Sequence, residues 1–308
     1  MPLVPRRRAA ALALLVLAVA PAALPAQCGV CDEHEPRLRG EAVTLLSNAL
    51  LGGVTVGVRR ALAGGSFGDA FAAGAAGGAL TYAGKRIAVE GFAGAGLLGR
   101  EVAAVGSSVS RNAADGRAPL ETVMLPAGPV RLYLGGGAPV RARLDLAAVA
   151  AAAYTSLQPG ARLDAGESLS SGALVFRREG APDEVGFNGM QLAGVVQVRW
   201  SADTLGGPPD DFQEQLDRIA RHERVHVLQY DQGFLLWAAP AEEALLSRAG
   251  WTRGVHRWVD LGLHLPVQAG LSAALPYEAR PWELEAYFLS RTRAAPGADA
   301  WGAITRQE

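Results

Sequence analysis

Hydrophobic and polar positions divide the chain into stretches of different period. Behind Arg6-Arg7-Arg8 lies an uncharged apolar run, Ala9 to Ala20, followed by Pro21 and small residues to Ala26. From about Glu41 to Ser108 the chain is rich in Ala, Gly and Val, with small residues at helical spacing in Gly74-Ala75-Ala76-Gly77-Gly78 and Gly94-Ala95-Gly96. The polar stretch Arg111 to Arg117 then reads as a linker. Beyond it the period shortens to that of strands at Thr122–Leu125, Val130–Leu134, Val140–Leu144, Ala173–Phe176 and Gly194–Trp200. Leu146 to Tyr154 reads as a helix, and Phe187-Asn188-Gly189 as a turn between strands.

A long helical stretch follows. Pro208-Pro209-Asp210-Asp211 precedes a run from Phe212 to Asp231 without Gly or Pro. Asp211 and Glu214 have the spacing of a capping box, and Gly233 suits a helix stop. Phe212, Leu216, Ile219, Glu223, His226 and Tyr230 form one stripe of this helix. Strands, then a long helix, then further helices predict an α+β domain over residues 118–308, with a small sheet. Residues 27–117 form a Gly/Ala-rich helical region.

The segment 1–26 has the charged, apolar and small-residue parts of a secretory signal, with cleavage after Ala26. Its apolar run is short against the ~20 residues of a membrane span. Export to the periplasm or cell envelope is therefore expected. Cys28 and Cys31 are the only cysteines. In an exported chain they suit a local disulfide, with metal binding or redox exchange as alternatives. Within residues 41–108, small residues at helical spacing suit close helix packing in a membrane. Arg59, Arg60, Asp69, Lys85, Arg86, Glu90, Arg100 and Glu101 interrupt that region, leaving Ala42–Val58 as the longest uncharged run. Membrane association and a tightly packed soluble region both remain open.

At 308 residues, half of them hydrophobic, the chain has room for one or two cores, and its formal charge of −1 offers no general attraction to nucleic acid. Chemistry concentrates in His222-Glu223-Arg224-Val225-His226. Residues four apart on a helix share a face, so both imidazoles can address one ion. Glu223 then stands where a carboxylate can take a proton from water. A catalytic zinc takes three protein ligands and keeps one position open. Gln229 and Gln232 occupy the positions where a metzincin extension needs Gly and His, which excludes that subclass. His256 and His264 are isolated downstream candidates. Pro281-Trp282-Glu283-Leu284-Glu285-Ala286-Tyr287 reads as the start of a helix. Glu283 shares its face with Ala286 and Tyr287, and small Ala286 permits close approach to the motif helix. Glu285 shares its face with Phe288 and Leu289 and reads as a surface or outer-sphere carboxylate.

HExxH followed by a helix reading Glu-x-x-Ala, 57 residues after His226 (283 − 226), resembles the gluzincin clan of zinc metallopeptidases. The resemblance implies a zincin-like fold, with His222, His226 and Glu283 as Zn2+ ligands and Glu223 as catalytic base. Its specific motifs cover two short helices within residues 118–308. Gluzincins often place Asp four residues after the ligand glutamate, and here that position is Tyr287. The implied activity is hydrolysis of a peptide or protein substrate by an exported enzyme. Tyr277, Arg280 and His256 are candidates for stabilising the oxyanion. The alternative is an envelope-associated structural or binding protein that retains zinc with little or no turnover.

Overall fold

The computed structural model describes residues 35–179, 188–200, 209–246, 250–266, 270, 274–275 and 280–290. Residues 1–26, read above as a secretory signal, and Cys28, Cys31, Phe187 and Tyr277 lie outside the described residues. The chain is α+β, and its described residues form three long N-terminal helices, two four-stranded sheets and a C-terminal set of helices.

Helices α1 (Glu35–Leu62), α2 (Phe67–Ala88) and α3 (Ala95–Asp115) pack in sequence order. Small residues let the backbones touch. A Cβ on Gly84 would collide with the backbone of Gly99 and Ala103, and one on Gly99 with that of Gly84 and Ala88. Gly40–Leu62 of α1 is long and apolar enough to cross a membrane by length and composition, and a third of its most apolar window is buried (33%). Leu46 and Leu50, one turn apart, are more than half exposed.

Helix α3 continues through Arg111–Asp115, where the pattern reads as a linker. The polar side chains there are satisfied within the fold. Asn112 is buried and donates to the carbonyls of Pro119 and Thr122, and Arg111 pairs with Asp115 one turn on. Gly116, in the left-handed conformation, ends the helix.

The first sheet comprises β1 (Thr122–Ala127), β2 (Val130–Gly135), β3 (Ala138–Asp145) and the short β8 (Val259–Asp260), in the order β1-β2-β3-β8. Its last pair is parallel and its others antiparallel. Asp145 ends β3 and caps α4 (Leu146–Ser156) by accepting from the amides of Ala147 and Ala148. The second sheet runs β4-β5-β7-β6, from Ala161–Leu163, Leu174–Glu179, Val195–Trp200 and Asn188–Leu192, and α5 (Ala165–Ser171) lies between β4 and β5. Two sheets thus stand where one small sheet is expected.

The turn also sits elsewhere. Asn188 and Gly189 open strand β6, and the chain reverses at Ala193-Gly194, where both φ angles are positive (48° and 78°) and Leu192 pairs with Val195. Two positive φ values suit a tight hairpin of right-twisted strands, which Ala193 accepts at some strain.

The motif helix α6 spans Pro209–Gly233. It starts two residues before Asp211, since proline's fixed φ suits a first helical position. Gly233 does not stop it. With helical angles there (φ −61°, ψ −40°), the chain runs on through a π-turn at Phe234–Ala238 into α7 (Ala239–Leu246). The wide turn ends two residues before Pro240, which has no N–H to give the turn before it. Phe234, Leu235 and Leu236 are buried against Met124, Tyr133, Val56 and Ala114, so stopping at Gly233 would expose them. Each such burial is worth about 1.5–3 kcal/mol. Helices α8 (Gly250–His256) and α9 (Pro281–Ser290) complete the description.

One core joins Ala88 and Ala103 of α2 and α3 to Val175, Val196 and Val198 of the second sheet and to Leu216, Ile219, Val227 and Leu228 of α6. A second, of Tyr82, Val89, Val225, Ala286 and Leu289, sets α9 against α6. The motif helix is therefore held on both sides.

Candidate metal centre

On α6 the apolar stripe includes buried Leu216, Ile219, Glu223, His226 and Tyr230, and His222 is buried one turn from His226. Helix α9 crosses at this level because Ala286, wholly buried, presents almost no side chain. Glu283 thereby reaches α6. Its Oε2 lies 3.3 Å from His222 Nε2 and 3.1 Å from His226 Nε2, and the two Nε2 atoms are 3.1 Å apart. Three lone-pair-bearing atoms thus form a nearly equilateral triangle. Ligands on a tetrahedral zinc, with bonds of about 2.0–2.1 Å, stand roughly 3.3 Å apart. The donor set and its spacing fit that ion.

Electrostatics keep the triangle poised. Burial favours a neutral carboxyl at Glu283, but the facing imidazoles outweigh it and hold the group well below the ordinary carboxylate range. Burial pushes His222 down to about 4. Burial would lower His226 as well, but the Glu283 carboxylate overcomes it and pushes His226 up to about 9.

The outer sphere ties this centre to the N-terminal helices. His226 Nδ1 stands 2.7 Å from Gln229 Oε1, and only the ring nitrogen can donate there, which turns the Nε2 lone pair inward when the ring is neutral. Gln229 Nε2 in turn donates to Glu285 Oε2 (2.8 Å) and to the carbonyl of Trp282 (3.0 Å). Glu285 also accepts from Lys85 Nζ (2.8 Å) and Asn48 Nδ2 (2.6 Å), and its carboxyl is held low despite burial, chiefly by Lys85. Lys85 is almost wholly buried (2% exposed). Glu285 therefore sits in the outer sphere and not on the surface.

The general-base candidate, Glu223, is buried (5% exposed) against strand β6. Any Cβ at Gly189 would collide with its carboxylate and with Ile219, so glycine is required there for the strand to pass. Burial pushes Glu223 up to about 7, the nearby Glu283 charge adds to this, and His226 opposes it. Near neutrality such a carboxyl can both take and return a proton.

Tyr287 takes the position of the expected aspartate, and its ring packs on His222 with centroids 4.5 Å apart. An aromatic face here replaces a carboxylate.

His256 and His264 do not join the triangle. His256 lies with Glu242 and Asp260, and His264 packs between the rings of Tyr230 and Phe234. Of the oxyanion candidates, Arg280 donates Nε to the carbonyl of Leu275 (3.3 Å), His256 lies outside the centre, and Tyr277 is outside the described residues. Three contributors are missing from the reading of the sequence: Gln229, Lys85 and Gly189. Gln229, three residues past His226 on one helix, was accessible from spacing alone. Lys85 and Gly189 come from other elements and carry no local signal.

No protein-family model, no curated protein and no solved structure matches the chain.

Proposed function

We propose that this protein is an exported zinc-dependent metallopeptidase of gluzincin type, with a zincin-like catalytic domain. The observation that carries the reading is the convergence of His222 Nε2, His226 Nε2 and Glu283 Oε2 within 3.3 Å of one another, with Glu223 next along the same helix. His222, His226 and Glu283 would hold the ion. Zinc, when bound, supplies Lewis acidity toward a carbonyl and makes water a stronger acid. Glu223 takes the proton from the attacking water and returns it to the leaving amine, a task suited to a carboxyl tuned near 7. Gln229 holds the His226 ring in place for its role.

Strand β6 is at the edge of its sheet and passes Glu223 at Gly189. An extended peptide adding to such an edge would bring a backbone carbonyl toward the carboxylate. The substrate class that suits this arrangement is a peptide or unfolded protein segment.

A second reading, zinc retention without turnover in an envelope-associated binding protein, draws on Tyr287 at the position where gluzincins often place an aspartate. Zinc content and cleavage of a quenched peptide library separate the two. The peptidase should carry about one zinc per chain and lose cleavage on Glu223→Gln while keeping zinc. Zinc without cleavage of any peptide in either protein selects the second reading, and absence of transition metal overturns both.

A further inference from the structure

A cavity of about 440 Å³ opens where α3, the β1-β2-β3 sheet and the end of α8 meet. None of the residues of the metal centre lines it. Its volume falls within the range of small-molecule sites, about 300–1,000 Å³. Five arginines line it, Arg111, Arg117, Arg141, Arg143 and Arg257, against two carboxylates, Glu121 and Glu243.

Some of that charge is already matched. Arg111 pairs with Glu243 (3.2 Å) and Asp115, Arg117 stands 3.9 Å from Glu121, and Arg143 pairs with buried Asp260 (3.1 Å). Arg141 and Arg257 have no ion-pair partner among the described residues. Three buried groups in the lining are also unsatisfied, the Thr122 hydroxyl and two nitrogens. Arg143 Nε makes no hydrogen bond. His256 is 8% exposed, and its Nδ1 is without a partner. Its Nε2 lies 3.3 Å from Arg143 Nη1, and arginine only donates, so Nε2 accepts and the proton resides on Nδ1. Both unsatisfied nitrogens are therefore donors. A buried donor left unpaired is unfavourable, and a ligand oxygen would satisfy it.

We infer that this cavity is a binding site for a small oxyanion ligand, a phosphate monoester or a carboxylate, held by Arg141, Arg143, Arg257 and His256. The occupant must bring at least two acceptor oxygens, because the free donors come from strand β3 on one side and from the α8 end on the other. A cation is disfavoured by the arginine excess.

The test is calorimetric titration of the full mature chain at low salt with inorganic phosphate, glycerol phosphate and succinate. These bind zinc weakly, and zinc content is measured in parallel. One-to-one saturable binding of at least one probe is expected, and the preferred probe distinguishes phosphate from carboxylate. The exposed side chains of Arg141 and Arg257 can be removed without disturbing the core. Arg141→Ala with Arg257→Ala should weaken binding roughly 10-fold or more, given the strength of hydrogen bonds between charged groups. Arg162→Ala, the loss of a charge that does not line the cavity, should leave it unchanged. The inference is overturned if no probe saturates, or if Arg162→Ala weakens binding as much as the double variant. Either result leaves the metal centre untouched, since zinc content is read separately.

Discussion

Two buried triads of similar composition show how surroundings decide chemistry. His222, His226 and Glu283 form one, and Glu242, His256 and Asp260 the other; in each, the possible ligand atoms lie within 4.8 Å of one another. In the second, donors have taken the carboxylates. Glu242 accepts from the amides of Leu261 (2.8 Å) and Leu263 (2.9 Å), tying α7 to the segment after β8. Asp260 accepts from Arg131 (3.3 Å), Arg143 (3.1 Å) and Tyr133 (3.0 Å). Arg131 also pairs with Asp145 and lies over the Phe234 ring. In the first triad the inward atoms face mainly one another. An ion is held by lone pairs that converge without donors, so ligand composition alone does not make a metal site.

The largest effect that would break this contrast concerns the residues proposed to hold the ion. His222→Ala and His226→Ala should each lower zinc affinity by more than the ~10–100-fold typical of outer-sphere partners. Glu242→Gln should leave zinc content at the wild-type level. Elemental analysis of the three variants decides the matter; zinc lost with Glu242→Gln and kept in both alanine variants would reverse the assignment.

Stability should show the opposite ranking. Asp260→Ala takes the carboxylate partner from Arg143 and leaves Arg131 with Asp145 alone, and breaking such a buried pair costs about 3–5 kcal/mol. Denaturant unfolding should show that loss with zinc stoichiometry intact in the folded fraction. A stable Asp260→Ala protein would mean that water reaches this cluster.

Helix α9 sharpens the comparison because adjacent carboxylates serve the two functions. Glu283→Ala should remove one of the three proposed ligands and, with no metal present, also the close carboxylate contact that keeps His226 charged. Glu285→Ala should leave Lys85 unpaired, destabilise the chain by about 3–5 kcal/mol and weaken zinc by about 10–100-fold. Paired zinc affinities and unfolding curves test this. Strong zinc loss in Glu285→Ala alone would place the wrong carboxylate at the ion.

The smallest expected change is in Gly189→Ala. The added methyl collides with Glu223, and overpacking of this kind costs about 1–3 kcal/mol. Cleavage should fall while zinc content holds. Unchanged cleavage would show that β6 and the motif helix separate easily.

What the sequence by itself determined is local. A 3.6-residue period placed His222, Glu223 and His226 on one helix, and the same period on Pro281–Ser290 put Glu283 and Glu285 on different faces. Runs of alternating residues marked β1, β2, β3, β5 and β7. Helix and strand periods arise from hydrogen bonds and side-chain directions within a few residues, so they are written in short stretches. Tertiary structure decided the rest. The burial of Phe234, Leu235 and Leu236 carried the motif helix past Gly233. The passage of β6 beside Glu223 made Asn188-Gly189 a strand. Lys85 meets Glu285 across 200 residues of sequence, and the arginine-lined cavity draws on α3, β3 and α8 together. Such pairings depend on which surfaces the cores bring into contact, and no period within one segment encodes them.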